Sequence, residues 1–311
     1  MQESSKSSRE SFRLAVIALL LSVITGAGIY LGASALVYRV GFPLDDAWIH
    51  LTYARNFALH GQWAFRLGHP SAGSTAPLWS FLLGVGFWLG LAPYIWTYIL
   101  GGLSLLGLAF VCELASRKLL ASYGPRLPWI GLFFAFEWHF LWAAMSGMET
   151  ILHAFLVTGI LTLLLIGSRR YLALGLLTGL SVWVRPDGLT LAGPVILCIL
   201  LNERTHRSRL AAATRFAIGL GALCVPYLFF NLWLSGTPMP NTFYAKQMEY
   251  AAWQARPLFV RVGVLALQVF TGPAVLLLPG ILLWVIASIK RRKWATLVLL
   301  AWILGYVYMY I

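Results

Sequence analysis

The sequence predicts an all-α, polytopic transmembrane helical bundle of about nine spans, and three observations predict it. Hydrophobic residues make up 60% of the chain and charged residues 11%, far from the mix of a soluble domain. Apolar runs of about 18 or more residues, the length that crosses a hydrocarbon core of ~30 Å, recur along the chain. Basic residues collect in short segments between those runs, where they fix orientation in a bilayer. The net charge of +13 is therefore read as topology, and nucleic acid is excluded as a partner.

The first run, 14–38, follows Lys6, Arg9 and Arg13 and has Ala33-Ser34-Ala35 near its end. At about 24 residues it exceeds the apolar core of a cleaved signal, so it is expected to be a retained first span. Further spans are expected at 94–112, 128–145, 150–167, 213–234, 262–289 and 294–311. Two shorter runs, 171–184 and 189–201, flank Arg185-Pro186-Asp187-Gly188 and read as a hairpin. Cys112, Cys198 and Cys224 have no paired spacing and are read as small apolar fillers.

With the amino terminus in the cytoplasm and 76–92 not crossing, sixteen of the 23 basic residues fall inside and seven outside. Letting 76–92 cross would move every later loop and reverse that bias. The segment 39–93 is thus expected to be an outer juxtamembrane region within one membrane domain, 1–311. Its residues Trp48, Ile49, Thr52, Tyr53 and Phe57 recur at helical spacing, which predicts an amphipathic helix over 46–58 lying on the membrane. The chain closes on Tyr308-Met309-Tyr310-Ile311 with no polar tail, an ending expected equally of a natural terminus and of a truncated chain.

Under this topology the polar motifs share one face. Only ten residues in 311 are acidic, yet Asp45 and Asp46 stand together where the first span ends. One carboxylate serves as an N-cap in the helix dipole, worth about 1 kcal/mol; the second is left for chemistry. Met145-Ser146-Gly147-Met148-Glu149-Thr150 places another carboxylate in a tight outer connection, where Glu149 either starts a helix or acts in a site. Arg185 either pairs with Asp187 or binds phosphate through its bidentate fork. Gly236 to Lys246 forms an ordered polar loop in which Lys246 either snorkels or meets an anionic headgroup.

Carboxylates, an Arg, a Lys and amide donors on one membrane face fit transfer of a sugar from a lipid phosphate. The acceptor hydroxyl needs a carboxylate base, and the leaving phosphate needs Arg, Lys or a carboxylate-held metal. No Walker or Rossmann glycine motif is present to hold a soluble nucleotide donor.

Taken together, Leu44-Asp45-Asp46-Ala47-Trp48-Ile49, Tyr53-Ala54-Arg55-Asn56, Gly73-Ser74-Thr75-Ala76-Pro77-Leu78-Trp79, Ser146-Gly147-Met148-Glu149-Thr150, Arg185-Pro186-Asp187-Gly188 and Pro240-Asn241-Thr242-Phe243-Tyr244-Ala245-Lys246 resemble, in order and spacing, the GT-C membrane glycosyltransferases. Within that superfamily the chain is similar to mycobacterial terminal arabinofuranosyltransferases over about residues 10–260. The resemblance implies a polyprenyl-phosphate sugar donor, an inverting transfer and a site on the outer face of a bacterial cytoplasmic membrane. It implies an acceptor that is an envelope glycan, a lipid or a protein. Carried onto this chain, the base falls on Asp45 or Asp46, with Asp45 preferred, and Glu149 is the second carboxylate. Asp46 and Glu149 are the expected ligands of a divalent ion such as Mg or Mn. Arg185 and Lys246 are expected at the donor phosphate, and Asn241 and Tyr244 at sugar or phosphate. Two rivals stand beside this reading: a secondary transporter of a polar or anionic solute, and an inactive truncated relative.

Overall fold

The computed structural model describes residues 2–119, 127–270, 273–291 and 293–310. Among them every regular element is helical, apart from an isolated bridge between Arg66 and His69. The helices are α1 Gln2–Val37, α2 Asp46–His60, α3 Pro77–Trp88, α4 Pro93–Leu119, α5 Trp129–Phe136, α6 Trp138–Met145, α7 Thr150–Leu165, α8 Tyr171–Val184, α9 Ala192–Asn202, α10 His206–Ser235, α11 Asn241–Glu249, α12 Ala251–Gln254, α13 Leu258–Phe270, α14 Leu278–Lys290 and α15 Val298–Tyr310.

Of the nine expected spans, three are single helices long and apolar enough to cross a membrane: Phe12–Val37, Pro93–Leu119 and His206–Ser235. The other expected spans coincide with shorter apolar helices. The run 128–145 is divided because Glu137 takes an extended conformation (φ −63°, ψ 126°) and its carboxylate caps Phe140 N at the start of α6. The run 262–289 falls on α13, a 3-10 turn and α14, with 271–272 outside the described residues. The inner loop expected at 113–126 is described only as far as Leu119. The three cysteines are unpaired, two buried and one partly so.

Two apolar cores carry the bundle. In the first, Leu19 and Val23 of α1 meet Leu105 and Leu108 of α4 and Ala135 and Leu141 of α5 and α6. In the second, Ile160 of α7, Leu174 of α8, Val195 of α9, Phe216 of α10 and Val298 of α15 pack together. Helices α8 and α10 touch backbone to backbone: a Cβ on Gly175 would run into Phe216 O, and one on Gly219 into Leu172 O. Small residues permit such close approach between membrane helices.

Charged side chains pair at both ends of α8. At its first residue, Tyr171 donates to Glu203 Oε1 at 2.9 Å, with Arg169 Nε 3.9 Å from the same oxygen. Arg185 stands just past the other end, 14 residues and about 21 Å away at 1.5 Å per residue. That second end is where the chemistry-bearing motifs collect.

The amphipathic helix read from spacing over 46–58 is present as α2. It packs against α3, a 12-residue helix of only about 18 Å, which Pro77 starts at a position where no backbone N–H is needed. Leu51, Ala54, Ala76, Trp79 and Leu83 form the seam between them. Rings of Trp63, Phe81, Phe230 and Trp183, at 4.6–6.4 Å between centroids, join this hairpin to α8 and α10.

Candidate functional site

Helix α2 puts Asp46, Ile49, His50 and Tyr53 on one face by their i, i+3, i+4, i+7 spacing. Asp45 is its N-cap, exposed, with its carboxylate accepting from Asp46 N at 3.0 Å. In the last turns of α2, Asn56 Nδ2 donates to Ala64 O and Phe65 O at 2.8 and 3.1 Å and holds the chain that turns back past the helix. Tyr53 Oη then meets Ser71 Oγ at 2.6 Å and accepts from Gly73 N at 3.0 Å. This brings the Gly73-Ser74-Thr75 strap alongside the Asp46 face. Asn241 N donates to Ala72 O at 3.0 Å, which docks the start of α11 on the same strap.

The outcome is a cleft of about 40 Å³ lined by Asp46, Ile49, His50, Gly73, Thr75, Thr242 and Lys246. At its floor His50 is buried. Its Nδ1 lies 3.1 Å from Ser74 Oγ and 3.3 Å from Ser80 Oγ, and its Nε2 lies 3.3 Å from Glu149 Oε2. The two serine hydroxyls thus face Nδ1, and the Glu149 carboxylate faces Nε2.

Behind His50, Glu149 is 1% exposed. Gly147 sets it there: the residue takes φ +83°, a Cβ on it would press on Ala47 and Phe42, and its carbonyl accepts from Trp79 Nε1 at 2.9 Å. Glu149 Oε1 accepts from Arg185 Nη1 at 3.2 Å, and Arg185 Nη2 reaches Asp187 Oδ2 at 3.4 Å. Burial by itself would raise the Glu149 pKa, but the His50 contact and the Arg185 charge outweigh it and hold the carboxyl at about 2. Glu149 is therefore ionised at neutral pH and too weak a base to deprotonate a hydroxyl there.

Four of the seven residues singled out from sequence thus belong to one polar group: Asp46 and Lys246 line the cleft, and Glu149 and Arg185 lie behind His50. Asp45, Asn241 and Tyr244 do not line the cleft. Asp45 caps α2, Asn241 holds the strap through its backbone, and Tyr244 packs its ring on Phe243 at 5.4 Å. Sequence reading gave no role to His50, Ser74, Ser80 or Thr242. The available signal was that His50 stands four residues after Asp46 on the same helix face. Among the described residues no three His, Cys, Asp or Glu side chains gather to hold a metal ion. Glu149 turns its oxygens to His50 and Arg185, so the donor set does not fit a divalent ion shared with Asp46.

Comparison with known proteins bears on this geometry. The chain is 26% identical over 240 residues to the terminal beta-(1->2)-arabinofuranosyltransferase of Mycobacterium tuberculosis (strain ATCC 25618 / H37Rv). The chain is a distant relative of a glycosyltransferase. The match covers 70% of this chain and 36% of that enzyme, so the chain spans about a third of its relative's length. No family model matches the chain, and no solved structure does.

Proposed function

We propose that this chain is an inverting membrane glycosyltransferase of GT-C architecture, taking its sugar from a polyprenyl phosphate. The proposed acceptor is an envelope glycan, lipid or protein, and the proposed place is the outer face of a bacterial cytoplasmic membrane with all nine apolar stretches inserted. The observation that carries the reading is the cleft, where a carboxylate and an ammonium, Asp46 and Lys246, flank one small cavity above the Glu149–Arg185–Asp187 charges.

In this reading Asp46 is the base. Its carboxylate takes the proton of the acceptor hydroxyl while that oxygen attacks the anomeric carbon. The bond from that carbon to the phosphate oxygen breaks from the opposite face, and the phosphate departs with the electron pair. Lys246 and the Arg185 guanidinium neutralise it. Glu149 remains an anion throughout and holds His50 and Arg185 in place. An apolar groove of about 320 Å³ lies beside the Arg185 turn, lined by Thr190, Pro194, Leu197, Trp302 and Tyr306, and it suits the lipid chain of such a donor. The terminal arabinofuranosyltransferase likeness supports a pentose as the transferred sugar.

The transporter reading draws on one feature, the Glu137–His139 pair at 2.6 Å at the break between α5 and α6. The His139 side chain is 80% exposed there and the pair lies apart from the residues that line the Asp46 cleft, so glycosyl transfer is favoured. The test is incubation of the purified chain with a panel of polyprenyl-phosphate sugars, pentoses included. Release of polyprenyl phosphate with matching sugar transfer is expected; a folded protein that binds none of the panel and releases none would contradict it.

A further inference from the structure

Tyr306 lies on α15, 119 residues after Asp187. Its hydroxyl donates to Asp187 Oδ2 at 3.2 Å, the oxygen that Arg185 Nη2 meets at 3.4 Å. One helical turn earlier, Trp302 Nε1 donates to Thr190 Oγ1 at 2.9 Å, and Thr190 Oγ1 donates to Asp187 O at 2.7 Å. Two polar links therefore tie α15 to the turn that follows Arg185. Trp302 and Tyr306 stand at i and i+4 on the face of α15 that walls the apolar groove.

A guanidinium is planar, and its donors point in fixed directions once two of them are engaged. Here Glu149 fixes one side of Arg185 and Asp187 the other. Glu149 is itself fixed by burial and by His50. Asp187 sits in a 3-10 turn, Pro186–Leu191, and its carboxylate is steadied from α15 by the Tyr306 hydroxyl. We infer that Tyr306 is a positioning residue for Arg185: by holding Asp187 it aims the guanidinium at the phosphate of a lipid bound in the neighbouring groove. This inference rests on the lipid-phosphate reading above. The competing account makes Tyr306 a packing residue that only docks α15.

The two accounts separate in a paired binding measurement on the full chain in lipid nanodiscs, using undecaprenyl monophosphate and uncharged undecaprenol as probes. The tail is shared and the phosphate is not. Tyr306→Phe keeps the ring and removes the hydroxyl; it is expected to weaken undecaprenyl phosphate binding about three- to tenfold and to leave undecaprenol binding unchanged. Asp187→Asn should give a similar selective loss, and the double variant should lose little more than either alone. The Asp187 arm keeps the test decisive if Tyr306→Phe does not purify folded. Wild-type phosphate binding in a folded Tyr306→Phe or Asp187→Asn variant would overturn the inference. So would equal weakening of both lipids. If the wild-type chain binds the two lipids equally, the lipid-phosphate reading itself fails, and the inference falls with it.

Discussion

Glu149 shows how one buried side chain decides what its neighbours can do. Its ordinary pKa of 4.5 is lowered to about 2 despite burial, because His50 and Arg185 face it. A carboxyl depressed in this way contributes stability that is fully present above about pH 4.5 and is lost as pH falls toward 2. Acid unfolding followed in detergent is therefore expected to begin below about pH 4.5. Glu149→Gln should shed that share of the acid sensitivity while losing about 3 kcal/mol at neutral pH, because Arg185 is left without its buried partner. An acid profile identical in the two proteins would refute the assigned charge state. The aspartates divide differently. Asp45 is a cap, so Asp45→Asn, which caps as well, should change stability and activity little. The pair was legible in the sequence as two carboxylates in excess of one cap. Which of them faces the cleft was not, because that depends on the strap and α11 folding onto one side of α2.

At the scale of elements, short local patterns were legible and breaks within apolar runs were not. The spacing of Trp48, Ile49, Thr52, Tyr53 and Phe57 foretold α2, since a 3.6-residue period is a local property. The run 128–145 was read as one span because a hydropathy window averages a single carboxylate away; the structure divides it where Glu137 caps α6. The connection 146–149 was recognised as tight, but its contact with α2 is long-range and left no trace in spacing. Gly147 carries that contact. With φ +83° and no room beside Ala47 and Phe42, Gly147→Ala should destabilise the protein by about 1–3 kcal/mol. It should also displace Glu149 from His50. A thermal unfolding scan checks the first, and unchanged stability would show that the connection tolerates a different backbone.

Over the whole molecule, the loops assigned to one side by counting arginines and lysines are also the loops that touch. Glu149, Arg185 and Asp187 meet at one end of α8, and Arg169 and Glu203 at the other. Such contacts are long-range, as between Tyr306 and Asp187, 119 residues apart, so composition could suggest a shared face but not a shared cavity. If the outer face carries the cleft, a cysteine placed at Thr75 should react with a membrane-impermeant thiol reagent from outside cells, and one at Ser168 should not. Labelling at 168 alone would invert the orientation. The central claim, that Asp46 deprotonates the acceptor of a lipid-linked sugar, is tested most directly by turnover of a folded Asp46→Asn variant beside Asp45→Asn. Measured as polyprenyl phosphate released from the donor that the wild-type chain uses, Asp46→Asn should lose about two to four orders of magnitude in rate while Asp45→Asn stays near wild type; near-normal release by Asp46→Asn would contradict the account.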